Sequence, residues 1–126
     1  MKSFLLASAC CGLMATAALA DGDAAKGATV AKVCAACHSE KDKTNKVGPY
    51  LLGIVDRPIA TAEGYNYSDA MKKYAADNAG GKWDAARLFK YLGNPKAEVP
   101  GTKMAFAGVK DEAKRNDLIA YLATLK

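Results

Sequence analysis

The sequence of 126 residues predicts an all-α fold in which about four helices surround two long loops. Three observations support this prediction. Alternation of apolar and polar residues, which marks a half-buried strand, is nearly absent. Apolar residues instead recur at helical spacing in separate segments, each of which follows a side chain that can cap a helix N-terminus. Two connecting segments are unusually long for so small a domain, which indicates that something fills the space between them.

The first twenty residues are predicted to be a signal peptide rather than part of the folded domain. Lys2 gives a short basic start, an apolar run follows from Phe4 to Leu19, and Ala18-Leu19-Ala20 has the small-x-small pattern of a cleavage site. Cleavage after Ala20 would leave residues 21–126 as one exported domain, which we expect in the periplasm. A membrane span is one alternative, but the run is shorter than the roughly 20 apolar residues that a span needs.

A lipoprotein leader is the second alternative, because Cys10 and Cys11 follow small residues. The apolar stretch before Cys10 is short for such a leader, so a cleaved signal peptide is favoured.

Cleavage leaves 17 basic and 13 acidic side chains, a net charge of +4. Of the four cysteines, only Cys34 and Cys37 then remain, and an oxidising compartment would favour a disulfide between them.

The first predicted helix runs from about Ala24 to Ala35. Asp23 can cap its N-terminus, and Val30 and Val33 lie on one of its faces. The chain from His38 to about Gly64 is rich in Gly, Pro, Lys and Asn, a composition that is typical of a loop. This segment is the first of the two long loops.

Two short helices are predicted in the middle of the chain. Ser68 can cap a helix over residues 69–77, and Asp84 can cap another over residues 85–92. Gly93 ends the second of these helices, because glycine readily adopts the backbone conformation that follows a helix C-terminus.

A final helix is predicted from the cap Asp111 to Lys126. Its apolar residues fall at helical spacing: Leu118, Ile119, Leu122 and Leu125. The second long loop, residues 94–110, precedes it.

The segment Cys34-Ala35-Ala36-Cys37-His38 has the C-x-x-C-H pattern of covalent haem attachment. On a helical turn, two cysteines three residues apart lie on one face, so both sulfurs can form thioethers to one edge of a porphyrin. The adjacent His38 would then bind the iron through its imidazole. We therefore predict one covalently bound haem c, which would also fill the space between the long loops.

Three other uses of this motif are weaker. A thioredoxin-like redox pair needs a strand–turn–helix setting, and the sequence lacks strands. A zinc site needs four ligands, whereas the exported chain offers two cysteines and one histidine. A plain disulfide between Cys34 and Cys37 would leave His38 and the long loops without an explanation.

A methionine is predicted as the second axial ligand, because His38 is the only histidine in the chain. A thioether favours reduced iron and raises its potential. Met71 lies in the predicted helix 69–77 beside two lysines, a poor position from which to reach iron. Met104 lies in a glycine-punctuated loop, Pro100 to Gly108, that can bring backbone close to a flat cofactor. Met104 is therefore the predicted ligand.

The sequence resembles the class I cytochromes c over essentially the whole exported domain. The resemblance rests on the C-x-x-C-H motif, on Val47-Gly48-Pro49, and on Asn94-Pro95-Lys96 followed by Pro100-Gly101-Thr102-Lys103-Met104-Ala105-Phe106-Ala107-Gly108. The most similar types are the mitochondrial protein and the soluble bacterial carriers of the c-two subgroup. The resemblance implies the cytochrome c fold, in which the first and last helices cross and pack together.

The resemblance also implies roles for residues around the haem. The carbonyl of Pro49 would accept a hydrogen bond from the His38 imidazole and orient it. The residues expected on the propionate side are Arg57, Tyr67, Trp83 and Thr102. Those expected near the methionine are Tyr91 and Asn94.

Two positions depart from the mitochondrial pattern. Val30 stands where mitochondrial relatives have an aromatic residue that packs on the last helix, and the segment 26–33 is one residue shorter than theirs. Shorter first helices are familiar among the bacterial members, which favours that branch. Val33 stands where mitochondrial proteins have a lysine beside the haem edge, so an identical docking surface is not expected.

Six lysines are expected around the exposed haem edge: Lys41, Lys43, Lys46, Lys96, Lys103 and Lys110. A positive rim would orient that edge toward acidic partners and speed encounter without tight binding. The alternative is that some of these lysines only solvate the surface.

The resemblance suggests a cytochrome bc complex as electron donor and a terminal oxidase or a photosynthetic reaction centre as acceptor, each in transient contact with a monomer. Nucleic acid is not expected as a partner, because the basic residues form no stripe along a recognition helix.

Two functions are weighed for such a haem. With His38 and Met104 both bound, the iron has no open position, and the protein is an electron carrier rather than an enzyme. An open axial position would instead give a peroxidase or a gas sensor, but the sequence offers no distal His or Arg apparatus for either. Electron transfer is the predicted function.

Overall fold

A computed structural model describes residues 22–126, which are helical with long loops. The helices are, in chain order, α1 (Ala24–Val30), which continues into a 3-10 helix (Ala31–Val33), α2 (Asp69–Asp77), α3 (Ala85–Gly93), α4 (Pro95–Glu98) and α5 (Glu112–Leu122). Within this range the only strand-like pairing is one isolated bridge between Pro58 and Lys82, so the all-α prediction is confirmed. No helix among these residues is long and apolar enough to cross a membrane. The predicted signal peptide, residues 1–20, lies outside the described part of the chain.

The four predicted N-terminal caps are all formed. Each capping side chain accepts a hydrogen bond from backbone N–H groups in the first turn of its helix, which would otherwise lack a partner. The pairs are Asp23 with Ala25 and Lys26, Ser68 with Met71, Asp84 with Arg87, and Asp111 with Lys114. The predicted starts of α1, α2, α3 and α5 are therefore confirmed, and the predicted bounds of α2 agree at both ends.

The first helix is shorter than predicted. It changes to 3-10 geometry at Ala31, where the Cys34 N–H donates to the Ala31 carbonyl at 2.8 Å, so the α-helix does not reach Ala35. The last two residues before the change, Thr29 and Val30, are β-branched and lose side-chain freedom in an α-helix. The tighter winding leads directly into the cysteine motif.

The last helix is also shorter than predicted, ending at Leu122 rather than Lys126. Beyond it, the carbonyl of Leu125 accepts a hydrogen bond from the Gly53 N–H at 2.7 Å. The last residues therefore leave the helix axis and hold the first long loop.

The predicted second loop contains a helix that the sequence pattern did not indicate. Asn94 caps α4 by accepting a hydrogen bond from the Ala97 N–H at 3.3 Å, and Pro95 occupies the first helical position. Proline is well suited to that position, because its missing N–H has no partner in a helix start anyway. The observed count is thus five α-helices in residues 22–126, not four.

The first and last helices pack with their backbones in contact. A Cβ atom at Gly27 would collide with the Asp117 carbonyl of α5, and one at Gly22 would collide with the Asn116 carbonyl. The Asp23 N–H also donates to the Asp117 Oδ1 at 2.8 Å. The packing of these two helices, which the family resemblance implied, is confirmed.

The core lies between α3 and α5 and extends to the wall of a cavity. Its buried residues come from three places, namely Leu88, Tyr91 and Leu92 of α3, Leu118, Ile119 and Leu122 of α5, and Trp83 and Val99 in the connecting segments. Six of these residues also line the cavity, so the core is continuous with the candidate site: Trp83, Leu88, Tyr91, Leu92, Leu118 and Leu122.

Candidate functional site

A cavity of about 500 Å³ opens between the two long loops and is lined mostly by apolar side chains. Its volume lies within the range of small-molecule and cofactor sites. Cys34, Cys37, His38 and Met104 all line it. The structure therefore brings together residues that are separated by up to 70 positions in the sequence.

The cysteine motif forms a tight turn at the wall of the cavity. The Cys37 and His38 N–H groups both donate to the Cys34 carbonyl, at 3.1 and 2.9 Å, which turns all three side chains toward one region. Neither cysteine forms a disulfide. Both sulfurs are thus available on the same cavity, as thioether attachment requires.

The pKa of Cys34 argues against a thiolate function. Burial, and then the nearby charges of Glu40 and Cys37, raise its pKa to about 11. A reactive redox cysteine needs the opposite shift. In residues 22–126, moreover, no group of three or more His, Cys, Asp or Glu side chains could hold a metal ion. These observations weaken the thioredoxin and zinc alternatives.

The His38 imidazole is fixed from two sides. Its Nδ1 lies 2.6 Å from the Pro49 carbonyl, which can only accept, so Nδ1 carries the proton and Nε2 is left for a metal. Gly48 lies against the ring, since a Cβ atom there would come within 2.7 Å of Nδ1. Burial lowers the pKa of His38 in spite of the opposing Pro49 hydrogen bond. The neutral imidazole is the form that binds iron.

Met104 faces the same cavity with fewer contacts. Its Sδ lies 3.9 Å from the Tyr91 hydroxyl, and its N–H donates to the Thr102 Oγ1 at 3.2 Å. Burial raises the pKa of Tyr91 to about 12, so this hydroxyl keeps its proton at neutral pH. Met71 also lines the cavity, from α2, although its helix was expected to keep it away.

Arg57 offers a test of whether the cavity suits a carboxylate-bearing cofactor. Its Nη1 donates to the Tyr50 carbonyl at 2.9 Å, while its Nε is buried without a hydrogen-bond partner among the described residues. Burial of a guanidinium donor without a hydrogen-bond partner costs folding free energy. A carboxylate is the acceptor that fits this donor best. Haem carries two such groups. The apolar walls, the two sulfurs, the imidazole and this free donor together fit a covalent haem.

Most of the remaining predicted haem neighbours line the cavity: Pro49, Arg57, Tyr67, Trp83, Tyr91 and Thr102. Asn94 is different. Its side chain is exposed and caps α4, and it does not line the cavity. The short helix that begins there uses the Asn94 side chain as its cap, and a role for Asn94 near the methionine stays a prediction.

The six predicted docking lysines are all exposed, but only Lys103 lines the cavity. Its ammonium donates to the Asn66 carbonyl at 2.8 Å and lies 4.6 Å from the centre of the Tyr65 ring. The ammonium of Lys46 donates to the Ala35 carbonyl at 3.1 Å, and that of Lys110 to the Gly93 carbonyl at 2.9 Å. Three of the six ammonium groups thus also hold the backbone.

Tyr65, which lines the cavity, had no sequence signal, and neither had Tyr121, which does not line it. The Tyr65 hydroxyl donates to the Val47 carbonyl at 2.8 Å and so joins two loops at the cavity. The Tyr121 hydroxyl donates to the Glu40 Oε2 at 2.9 Å, joining α5 to the segment after the cysteine motif. Both contacts link residues far apart in the chain, and nothing in the local pattern indicates them.

Comparisons with known proteins agree with this geometry. The family model described as Cytochrome c matches residues 24–126. The cytochrome c of Gibberella zeae is 51% identical over 106 residues, which cover 82% of this chain and 95% of that protein. The cytochrome c2 of Rhodomicrobium vannielii is 45% identical over 126 residues, 98% of this chain and 97% of that protein. The solved structure of cytochrome cH from Methylobacterium extorquens superposes with a TM-score of 0.73 at 46% identity, covering 82% of this chain and 99% of that one.

Proposed function

The chain belongs to the cytochrome c family, and we propose that it is an exported, periplasmic member that carries single electrons between membrane redox complexes. As in the class I proteins that the sequence resembles, its cofactor is one covalently bound haem c, and it is an electron carrier rather than an enzyme. The compartment, the residues that hold the haem and the partners are the parts that we propose here.

The observation that carries the proposal is the placement of His38 and Met104 on one apolar cavity that also holds both cysteines. We propose Cys34 and Cys37 as the attachment residues and His38 and Met104 as the axial ligands. With both axial positions taken, no position on the iron is open to oxygen or peroxide. A carrier benefits from this arrangement, because neither ligand has to change between the two oxidation states.

The residues around the cavity have distinct tasks in this proposal. Haem c supplies reversible one-electron chemistry at its iron. The Pro49 carbonyl keeps the His38 proton on Nδ1 and orients the ring. The Arg57 Nε supplies a donor for a haem carboxylate, and Tyr91 places a hydroxyl against the Met104 sulfur. The apolar walls exclude water, which limits the reorganisation that accompanies each change of charge.

We propose that residues 1–20 are a cleaved signal peptide and that residues 21–126 form the mature domain. Support comes from the basic start, the apolar run and the small-x-small site before residue 21. The match to the Rhodomicrobium vannielii protein also spans the N-terminal segment, since it covers 98% of the chain. Mass spectrometry of protein from the periplasmic fraction tests this: we expect a mature chain that begins at Asp21 and carries one haem.

We propose a cytochrome bc complex as electron donor and a terminal oxidase or a photosynthetic reaction centre as acceptor, each bound transiently by the monomer. The exposed lysines support this, because a positive rim speeds encounter with acidic partners. Val33 and Val47, 60% and 74% exposed, line the cavity, as does Lys103, so the cavity edge combines apolar and basic side chains. Oxidation rates with isolated membranes, in the dark and in light, distinguish the acceptors, and added salt should slow both.

An optical spectrum of the purified protein tests the ligand assignment. A low-spin spectrum with the weak methionine-to-iron band at the red end supports His38 and Met104. A high-spin spectrum would favour a peroxidase or gas sensor with an open axial position. Absence of the Soret band, with a mass equal to the bare polypeptide, would contradict haem attachment itself.

A further inference from the structure

Arg115 of α5 lies where the methionine loop, residues 100–110, returns to the helical core. Its guanidinium donates from Nε to the Val109 carbonyl at 2.9 Å, from Nη1 to the Phe89 carbonyl at 3.2 Å, and from Nη2 to the Lys110 carbonyl at 3.4 Å. The side chain is half-buried. One guanidinium therefore joins α3, α5 and the end of the loop.

The surroundings of Arg115 are shaped for a planar cation. Its Cζ lies 4.3 Å from the centre of the Phe89 ring, which adds a cation–π contact. A Cβ atom at Gly93 would come within 2.8 Å of the guanidinium carbon, so a larger residue at that position would displace it. A guanidinium fits such a slot better than an ammonium, because its donors are spread in a fixed plane.

The same junction anchors the loop backbone. The Val109 N–H donates to the Leu92 carbonyl at 2.8 Å, and the Lys110 ammonium donates to the Gly93 carbonyl at 2.9 Å. A Cβ atom at Gly108 would collide with that same Gly93 carbonyl. The loop thus re-enters the core at a fixed place, with its backbone touching the end of α3.

Between its anchored ends the methionine loop has few restraints of its own. It is fixed at the start by the Thr102 N–H, which donates to the Val99 carbonyl at 2.9 Å. In the middle, the Met104 carbonyl accepts from the Phe106 N–H at 3.0 Å, and the Lys103 ammonium reaches the Asn66 carbonyl. The position of Met104 over the cavity therefore depends strongly on where the two ends are held.

We propose that Arg115 is a positioning residue that holds Met104 at the iron by fixing the return of its loop. This rests on the proposed role of Met104 as axial ligand. A thioether is a neutral, soft ligand that binds ferric iron less readily than ferrous iron. A loop that is released at one end should therefore give up its methionine most easily in the ferric state.

The test compares holoproteins that carry a substitution on α5. Arg115→Gln removes the charge and the donor fork, and Arg115→Lys keeps the charge only. Tyr121→Phe is the matched control, because it removes a hydrogen bond between the same helix and Glu40, on the histidine side of the cavity. Imidazole, which must displace the thioether, is titrated into each ferric protein while the red-end band is followed. Urea unfolding of each variant measures the general loss of stability.

We expect imidazole to bind Arg115→Gln about tenfold more tightly than the wild type. A factor of this size is what the loss of hydrogen bonds donated by a charged group should give. Arg115→Lys should lie between these two, and Tyr121→Phe should match the wild type. Equal imidazole affinities in Arg115→Gln and Tyr121→Phe would overturn the positioning role, even if both proteins lost stability. A wild-type ferric protein without the band would overturn the methionine ligand, and with it this proposal.

Discussion

The histidine side and the methionine side of the cavity are built differently. The segment from Cys34 to Pro49 is held mostly by short-range hydrogen bonds, and the His38 ring meets its Pro49 partner only 11 residues along the chain. Its contact with distant Tyr121 is made by Glu40 rather than by the ring. The methionine loop depends on more distant contacts, such as Lys103 with Asn66, 37 residues away, and Lys110 with Gly93, 17 residues away. One proposed ligand, His38, is oriented mainly by its own neighbourhood, and the other, Met104, lies on a loop that more distant parts of the fold hold in place.

This difference indicates how the two ligands respond to damage. A change on the histidine side should disturb the attachment region directly, whereas a change on the methionine side should leave the haem attached and alter only the sixth position. Four predictions test this contrast, in order of decreasing effect.

Loss of the haem should remove the difference between the histidine side and the methionine side, because both sides then face an empty cavity. The double substitution of Cys34→Ala and Cys37→Ala prevents attachment and leaves about 500 Å³ unfilled. At roughly 24 cal/mol per Å³ the cost is on the order of 10 kcal/mol, as large as the whole stability of an ordinary domain. Circular dichroism should show a largely unfolded chain. A cooperative, folded haem-free protein would contradict this.

Gly48→Ala should disturb the histidine side. The added Cβ would lie 2.7 Å from the His38 Nδ1 and 2.8 Å from its Nε2, so the ring must move. Overpacking of this kind costs about 1–3 kcal/mol or more, measured by urea unfolding, and the Soret band should shift as well. Gly80→Ala is the control: no atom beyond its chain neighbours lies within 4 Å of its Cβ, so only its left-handed backbone adds strain. A Soret band unchanged in Gly48→Ala would show that the ring is not fixed there.

Met104→Ala should change the methionine side alone. The haem stays attached, the potential falls because a ligand that favours reduced iron is lost, and cyanide binds the ferric protein at least about tenfold faster. Met71→Ala is the matched control, since Met71 lines the same cavity from α2. If stopped-flow measurements show fast cyanide binding in Met71→Ala instead, the ligand is Met71 and the assignment is reversed.

Tyr91→Phe should have the smallest effect at neutral pH, less than about 1 kcal/mol, because only a weak hydroxyl–sulfur contact is removed. The Tyr91 hydroxyl matters more in alkali, because its ionisation in the unfolded chain then lowers the free energy of unfolding. The pKa of Tyr91 is about 12 in the folded protein and about 10 when unfolded, so the stability that it contributes is complete below pH 10 and is lost as the pH rises toward 12. Urea unfolding of the ferrous protein at pH 8 and pH 11 should show a smaller pH-dependent loss in the variant.

The sequence predicted those features that depend on neighbouring residues. The caps Ser68 and Asp84 and the bounds of α2 follow from local hydrogen bonding, and the structure agrees with them. The C-x-x-C-H spacing likewise implied that both cysteines and His38 share one surface, and all three line the cavity.

Features that depend on distant residues were missed. Residues 94–110 were predicted as a loop, whereas Pro95 begins α4, because proline suits both a helix start and the chain beyond a helix end. Nothing near Arg115 distinguishes it from an arginine that merely solvates a helix, since its three acceptors lie on other segments. The sequence therefore indicated candidate ligands, which line one cavity, more readily than the residues that hold their segments in place.

The contact between Gly27 and Asp117 has a consequence for the order in which the chain matures. Synthesis proceeds from the N-terminus, so α1 is made long before the helix on which it packs. Closing a loop of some 90 residues costs conformational entropy and awaits the last part of the polypeptide. Until then the two thiols that follow α1 lack the half-buried setting that they have in the complete fold.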